Sequence, residues 1–126
     1  MSKPWVLITG SARRLGRATA LRYAERGYSI VLHYHSSEER VHTTAKEVRE
    51  LGAEVVIVYG DISKEDDCIL IFETLEQLQC IPMIIVNNAG VFPEKINLKD
   101  MDSTYWETTY NINLRAQLFI AREFVR

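Results

Sequence analysis

Four short apolar runs alternate with amphipathic segments along the chain, and this alternation restricts the fold more than any other feature. The runs are almost continuously apolar, which is typical of strands that are buried on both faces. Strands separated by helices are joined by right-handed crossovers, and such crossovers make the strands parallel. The sequence therefore predicts an α/β fold with a doubly wound parallel sheet. The predicted strands cover residues 5–9, 29–33, 54–59 and 83–86.

The amphipathic segments are predicted to be helices that cover this sheet. The first begins near Arg14 and ends at Gly27, which takes the place of a C′ glycine. The second follows Ser37 and stops at Gly52, and the third follows Ser63 as its N-cap. The fourth is predicted to run from about residue 103 to residue 126, after a loop over residues 88–102. The apolar face of the first helix is expected to comprise Leu15, Ala18, Leu21 and Ala24.

Length, charge and cysteine content exclude several classes of protein. A chain of 126 residues suits one compact domain, and a net charge of -2 argues against a nucleic-acid partner. The longest apolar stretch, residues 81–86, is far shorter than the roughly 20 residues of a membrane-spanning helix, so we expect no membrane partner. Cys68 and Cys80, expected on one helix, lack partners at metal-ligand spacing. We therefore expect no metal site, and two free thiols suit a cytoplasmic protein.

The turn after the first strand has the composition of a phosphate-binding loop. Gly10 permits a tight turn, and the free N–H groups at the start of the next helix favour an anion. Gly16 lets the helix approach the sheet, while Arg13, Arg14 and Arg17 add positive charge where a pyrophosphate would lie. A glycine loop in this position is typical of dinucleotide-binding sheets of the Rossmann type. The alternative is a plain turn whose arginines are only solvated.

Two motifs resemble those of short-chain dehydrogenases/reductases. The first loop is similar to the family's Thr-Gly-x-x-x-Gly-x-Gly loop, with Arg14 in place of the middle glycine, as in pteridine reductases. After the fourth strand, Asn87-Asn88-Ala89-Gly90 matches the family's Asn-Asn-Ala-Gly run in full. The motifs occur in the family's order, so the resemblance covers the whole chain. The cofactor contacts that it implies in these motifs are Gly10, Ser11, Arg13, Arg14, Leu15, Gly16, Asn88, Ala89 and Gly90.

The end of the second strand bears on the choice of dinucleotide. Sites that prefer NAD usually carry an acid here, which binds the ribose hydroxyls. This chain instead has His35, Ser36 and Ser37, which could donate to a 2′-phosphate, so we expect NADP rather than NAD. The His-Tyr-His run resembles pteridine reductases, although those have a basic residue in place of Ser36. Glu38 and Glu39 follow at once and leave NAD as the alternative.

The resemblance implies roles for three further residues. Asp61, after the third strand, would bond the adenine amino group, and Ile62 would pack on the ring. Without the resemblance, Asp61 is equally well a loop or cap residue. Asn113 matches the family's catalytic asparagine, whose role is to hold a water that feeds protons towards a lysine. The alternative for Asn113 is a polar side chain that bonds nearby backbone.

The family's chemistry also requires a serine and a tyrosine with a lysine four residues later. No Tyr-x-x-x-Lys occurs in this chain, and we expect residues 1–126 to be the N-terminal half of an NAD(P)-binding domain that ends within the fourth helix. The resemblance implies an NADP-dependent oxidoreductase that reduces a carbonyl or imine of a small-molecule substrate, pteridine-like or 3-oxoacyl among others. The fragment alone is expected to be inactive.

Two other interpretations belong to different classes of function. A non-catalytic dinucleotide sensor or interaction module would keep the phosphate loop without the Tyr/Lys pair. A partner subunit without its own activity would complete an oligomer. In the full-length protein we expect a homo-oligomer formed through the fourth helix, which commonly pairs subunits in this family. The residues available for that interface are Trp106, Tyr110, Phe119 and Phe124, which would otherwise form core.

Overall fold

The computed structural model describes residues 3–91 and 94–126, and its four strands form one parallel sheet. The strand order is β3-β2-β1-β4, and each predicted strand is present with ends shifted by no more than one residue. The predicted doubly wound α/β fold is therefore confirmed. The strands are β1 (Trp5–Ile8), β2 (Ser29–Tyr34), β3 (Val55–Tyr59) and β4 (Pro82–Val86).

The order of the strands places the carboxyl ends of β1 and β4 side by side. From β1 the chain moves outwards to β2 and β3, and it then crosses back so that β4 pairs with the other side of β1. Ile8 at the end of β1 is in register with Leu32 of β2 and with Val86 of β4. The chain therefore reverses its direction of winding between β1 and β4, which is where open α/β sheets form their ligand crevice.

The helices lie on both faces of the sheet because the buried residues of each strand alternate in direction. Val6 and Ile8 of β1 belong to a cluster with buried residues of the first two helices. Leu7 points the other way, into a cluster with the third helix and the last one. The helices and helical turns are α1 (Arg14–Glu25), α2 (Glu38–Glu50), α3 (Glu65–Gln77), a 3₁₀ turn (Leu98–Asp100), α4 (Ser103–Tyr110), a π-helical turn (Asn111–Arg115) and α5 (Ala116–Val125).

The glycines predicted to end the first two helices do so in the left-handed region of the backbone. Gly27 has φ +91° and Gly52 has φ +86°, and space is open around both. The third helix starts one residue later than expected, since Lys64 rather than Ser63 holds the N-cap position. Ser63 is occupied elsewhere, because its backbone N–H and its hydroxyl both donate to the Asp61 carboxylate.

Two predictions about packing were wrong. The buried face of α1 consists of Gly16, Ala20 and Ala24, whereas Leu15 is 71% exposed. The small residues bring α1 close to the sheet and leave Leu15 and Ala18 at the surface. Cys80 lies beyond α3 rather than on it, so the two cysteines are in different elements, although both thiols are free as expected.

The predicted fourth helix is present but irregular. Asp102 caps its start by accepting a hydrogen bond from the Tyr105 N–H at 2.9 Å. Between α4 and α5 the π-helical turn widens the helix, and the backbone N–H of Ala116 bonds the carbonyl oxygen of Asn111, five residues back. Of the preceding loop over residues 88–102, residues 92 and 93 lie outside the described part. Within the described residues, no helix is long and apolar enough to cross a membrane.

Candidate nucleotide-binding site

The ends of β1 and β4 are joined by hydrogen bonds that use Thr9 and Asn88. The Asn88 side-chain amide donates to the carbonyl oxygens of Thr9 at 3.1 Å and Gly10 at 3.0 Å. In return, the buried Thr9 hydroxyl accepts from the backbone N–H groups of Asn88 and Ala89, both at 3.0 Å. Asn88 therefore holds the phosphate loop and the Asn-Asn-Ala-Gly segment together as one unit. We call these two segments, residues 9–16 and 87–90, the floor of the site.

Both loop glycines are required because neighbouring atoms leave no room for a Cβ at either position. Gly10 has φ +61°, and a Cβ on it would lie 3.0 Å from the Cα of Ala89. A Cβ on Gly16 would lie 2.4 Å from the carbonyl oxygen of Gly10 and 2.6 Å from the side-chain nitrogen of Asn88. Side chains at either position would push α1 away from the floor, so both glycines hold the start of α1 against the end of the sheet.

Arg14 occupies the position of the missing middle glycine and keeps a glycine-like backbone. Its φ of +54° lies in the left-handed region, which costs a non-glycine residue about 1–2 kcal/mol. Arg13, Arg14 and Leu15 are all exposed at the first turn of α1. This turn contains no acidic residue, so its N–H groups and two guanidinium groups leave it strongly positive.

Arg17 was expected to add positive charge at this turn, but it does not. Its guanidinium makes a two-pronged ion pair with the carboxylate of Glu47 on α2, with Nε 3.0 Å from Oε1. The hydrogen bond and the charge of Glu47 raise the pKa of Arg17. The ion pair ties α1 to α2 and neutralises Arg17, so the positive charge of the loop comes from Arg13 and Arg14.

Ser11 and His33 connect the phosphate loop to β2. The Ser11 hydroxyl is fully buried, accepts from the His33 backbone N–H at 2.9 Å and approaches the His33 carbonyl oxygen at 3.4 Å. The His33 ring accepts from the Gly10 N–H at Nδ1 and bonds the Gly60 carbonyl oxygen at Nε2. Ser11 therefore offers its hydroxyl to the protein rather than to a ligand.

The residues predicted to select the dinucleotide lie at the outer end of β2. His35 and Ser36 are exposed, and Ser37 is half-buried at the N-cap position of α2, although its hydroxyl makes no capping bond. Glu38 and Glu39 stand in the first turn of α2, immediately beyond these residues. The arrangement leaves an imidazole and two hydroxyl groups next to the loop, without a carboxylate among residues 33–37.

Asp61 and Ile62 follow β3, one strand further out. Burial disfavours the charge of Asp61, but hydrogen bonds from Ser63 and the neighbouring His35 outweigh it, so the pKa of Asp61 is lowered. Its second carboxylate oxygen lies 4.0 Å from Nε2 of His35. Ile62 is only 5% exposed and packs in the core with Cys68. Asp61 thus stays ionised at the site, whereas the Ile62 side chain serves the core.

Asn113 lies in the π-helical turn and faces the segment after β4. Its carboxamide accepts from the Val91 N–H at 2.8 Å and donates to the Val91 carbonyl oxygen at 2.9 Å. A Cβ on Gly90 would lie 3.2 Å from the Asn113 oxygen. The Gln117 side chain in turn donates to the backbone carbonyl oxygen of Asn113 at 3.0 Å. Asn113 therefore holds the backbone of Val91 in place, and its match to the catalytic asparagine stays a prediction.

The comparison with protein families decides the identity of this arrangement. The model of the family described as short chain dehydrogenase matches residues 4–126. This chain belongs to the short-chain dehydrogenase family. The match covers the whole floor described above, including both glycines, Asn88 and the π-helical turn.

Related proteins and solved structures agree with this assignment. This short-chain dehydrogenase chain is 32% identical over 118 residues to "Hydroxynaphthalene reductase-like protein Arp2" of Metarhizium anisopliae. It is 31% identical over 120 residues to "General stress protein 39" of Bacillus subtilis. The two matches include 92% and 94% of this chain but only 43% and 42% of the respective relatives. The chain therefore spans less than half the length of these relatives.

Two solved structures with a bound dinucleotide share the fold. A structure of an NADH-dependent reductase complexed with NAD matches with a TM-score of 0.90 and 25% identity, over 98% of this chain and 51% of that one. A dehydrogenase structure from Burkholderia cenocepacia with bound NADP matches with a TM-score of 0.89 and 25% identity, over 97% and 47%. The short-chain dehydrogenase fold seen here therefore occurs in proteins that bind either dinucleotide.

Sequence analysis missed two residues of this short-chain dehydrogenase site. Thr9 falls at the end of the first predicted strand with no role assigned to it, although its hydroxyl accepts hydrogen bonds from two backbone N–H groups. His33 was assigned to a strand, although its ring joins the ends of β1 and β3. The available signal was a single polar residue at the end of a buried apolar strand. Among the described residues, no cluster of potential metal ligands occurs.

Proposed function

We propose that this chain is the dinucleotide-binding half of an NADP(H)-dependent oxidoreductase. The observation that carries the proposal is the rigid floor made by Gly10, Gly16 and Asn88, which leaves the first turn of α1 open beside it. A pyrophosphate suits this turn because free N–H groups and two exposed arginines favour an anion. Family membership and the two dinucleotide-bound structures support the same assignment.

The preference for NADP rests on the end of β2. A 2′-phosphate carries close to two negative charges at neutral pH and needs donors rather than acceptors. His35, Ser36 and Ser37 supply donors there, and Arg13 is exposed in the loop after the adjacent strand. Glu38 and Glu39 weaken this preference if either side chain turns towards the ribose, so the relative affinity for NAD is the measurement that decides it.

The chain's own part in the reaction is to bind and orient. A bound nicotinamide dinucleotide supplies the hydride for reduction of a carbonyl or imine. Arg13 and Arg14 bind the phosphates at the start of α1, and Asn88 keeps the loop and the end of β4 in register. Asn113 bonds the backbone of Val91 and thereby fixes the position of the segment that follows Gly90, against which the nicotinamide would pack.

We also propose that the full-length protein forms a homo-oligomer through α4 and α5. Four apolar residues spaced four apart are exposed along this face, with exposed fractions from 40% to 67%. Phe119 instead packs against the second core cluster, which removes it from the expected interface set. These four exposed residues are Trp106, Tyr110, Leu114 and Leu118, and Phe124 of the expected set is also exposed, near the end of α5. Light scattering of the full-length protein tests this interface, because Leu118→Glu is expected to yield monomers.

The cytoplasmic location stays a prediction.

Calorimetric titration with NADP⁺ and NAD⁺ tests the proposed function. We expect NADP⁺ to bind at least roughly tenfold more tightly, a difference of about 1.4 kcal/mol. The natural full-length protein is then expected to oxidise NADPH with a carbonyl or imine substrate. Equal affinity for NAD⁺ would overturn the cofactor preference. Tight binding without turnover on any carbonyl or imine would favour the dinucleotide sensor instead.

A further inference from the structure

His33 is a buried side chain whose two ring nitrogens both have backbone partners. Nδ1 lies 2.9 Å from the Gly10 backbone nitrogen, and Nε2 lies 2.8 Å from the Gly60 carbonyl oxygen. The residue is 2% exposed. Gly10 N–H can only donate and the Gly60 oxygen can only accept. The ring is therefore neutral, with its proton on Nε2 and a lone pair on Nδ1.

This ring joins three strand ends across the sheet. Gly10 follows β1, His33 lies in β2, and Gly60 follows β3. The contact at Gly10 is made at the residue whose positive φ turns the chain into the phosphate loop. Ser11, the next residue, adds its own bonds to the His33 backbone. The position of the loop therefore depends on a ring that can change its protonation state.

We propose that His33 is a positioning residue for the phosphate loop, and that its protonation releases Gly10 and weakens dinucleotide binding in acid. A protonated ring carries hydrogen on both nitrogens, so Nδ1 would face the Gly10 N–H donor with a second donor. The loop would have to move to separate them. This inference rests on the proposed dinucleotide site for its binding consequence, but the loop geometry is independent of any ligand.

The groups around His33 determine the direction of the effect. Burial lowers the pKa of His33, the bond to Gly60 opposes this, His35 at the outer end of β2 lowers it further, and Asp61 after β3 raises it. The loop after β1 contributes Gly10 and Ser11, which carry no titratable side chain. Because the pKa is lowered on folding, the ordered loop is fully stable above the ordinary histidine pKa of about 6.5. That stability is lost as the pH falls through the lower value in the folded protein.

Two substitutions separate the two ring contacts. His33→Asn places a carboxamide oxygen near the position of Nδ1, so the Gly10 N–H keeps an acceptor that does not titrate. His33→Gln places its carboxamide near Nε2, so the bond to Gly60 is kept and the Gly10 acceptor is lost. Each variant lacks one of the two bonds, which makes the pair a matched control for general destabilisation.

The first measurement uses the full-length protein without dinucleotide. Hydrogen exchange of a peptide spanning residues 6–16 is followed by mass spectrometry at matched pH. We expect faster exchange in His33→Gln than in His33→Asn, since only the former loses the Gly10 contact. Equal exchange in the two variants would overturn the inference. Ring-nitrogen NMR of the wild type gives a second test, in which a proton on Nδ1 at neutral pH would also overturn it.

The second measurement is NADP⁺ affinity over a descending pH series that starts at about pH 8 and ends at the lowest pH at which wild type and His33→Asn both stay folded by circular dichroism. For the wild type we expect the affinity to fall by up to tenfold per pH unit below the pKa of His33. The 2′-phosphate of NADP⁺ itself titrates near pH 6 and changes the affinity of wild type and variant alike. His33→Asn binds the same ligand but has no imidazole, so the difference between the two pH profiles reports the titration of His33. His33→Gln is expected to bind about tenfold more weakly even at neutral pH.

The outcomes distinguish this inference from the proposed function. If wild type and His33→Asn show the same pH profile, His33 does not control the loop and the inference is overturned. If the wild type binds neither NADP⁺ nor NAD⁺, the proposed function fails. The exchange comparison then still decides about His33, because it needs no ligand.

Discussion

Asn113 and Val91 hold each other through two hydrogen bonds, one in each direction, from the carboxamide of the first to the backbone of the second. A carboxamide suits this contact because it offers one acceptor and one donor side by side. The contact joins the π-helical turn to the segment that follows Gly90. The widened turn and the Asn-Asn-Ala-Gly floor are therefore parts of one rigid unit.

Removing this contact should loosen the site. We expect Asn113→Ala to lower the free energy of unfolding by about 1–3 kcal/mol, because two backbone groups of Val91 lose their partners. Asn111→Ala is the matched control, since within the described part of the chain the Asn111 side chain makes one hydrogen bond, accepted from Arg115 on the same helical turn. Urea denaturation of both variants measures the difference. Equal loss in the two variants would show that the contact with Val91 is of little weight.

Gly16 should tolerate no side chain. A Cβ there would lie 2.4 Å from the Gly10 carbonyl oxygen, so Gly16→Ala must displace α1 or the loop. We expect a loss of about 1–3 kcal/mol, as for overpacking in a core, together with weaker NADP⁺ binding. Gly52→Asn serves as control, because space is open around Gly52 and asparagine accepts a positive φ best among other residues. Thermal unfolding and calorimetric titration of both variants test this expectation.

Arg14 is expected to lower the stability of the fold while it strengthens dinucleotide binding. Arg14→Gly removes the strain of a φ of +54° and is expected to raise stability by up to about 1 kcal/mol while weakening NADP⁺ binding. Arg14→Ala keeps the strain and loses the guanidinium, so it should weaken binding without raising stability. Arg17→Ala is the control for charge, since Glu47 already engages Arg17 and affinity should change little. Unchanged affinity in Arg14→Ala would remove the phosphate role assigned to Arg14.

Ser36 should permit a stronger grip on the 2′-phosphate. We expect Ser36→Arg to tighten NADP⁺ binding about tenfold, because an arginine can bond a phosphate through two N–H groups. The affinity for NAD⁺ should stay the same, since NAD⁺ lacks the phosphate. Parallel titrations with the two dinucleotides compare these effects within one variant. An equal gain for both would place residue 36 near the pyrophosphate rather than the ribose.

The sequence predicted the strands well and the helix faces less well. Each continuous apolar run became a strand of the sheet. Burial on both faces was predicted for all four strands, but β3 and β4 are the edge strands and most of their residues are only half-buried or exposed. The face of α1 was misjudged because Leu15 outweighs Gly16 in any apolar pattern, whereas close approach to the sheet depends on the smallest residue. Similarly, Ser63 was the better N-cap by type, but the Asp61 carboxylate accepted both of its donors.

The sequence by itself determined the α/β class, the place of the phosphate loop and the resemblance to short-chain dehydrogenases, because these depend on local pattern and on the order of motifs. Only the tertiary structure decided that Arg17 is paired with Glu47, that the Ser11 hydroxyl is buried and that His33 links Gly10 to Gly60. Each of these contacts joins residues more than 20 positions apart in the chain. The contacts of Ser11 and His33 form because parallel strands end at the same edge of the sheet, and Arg17 meets Glu47 because α1 and α2 pack side by side on one face of it. Spacing along the sequence does not record either arrangement.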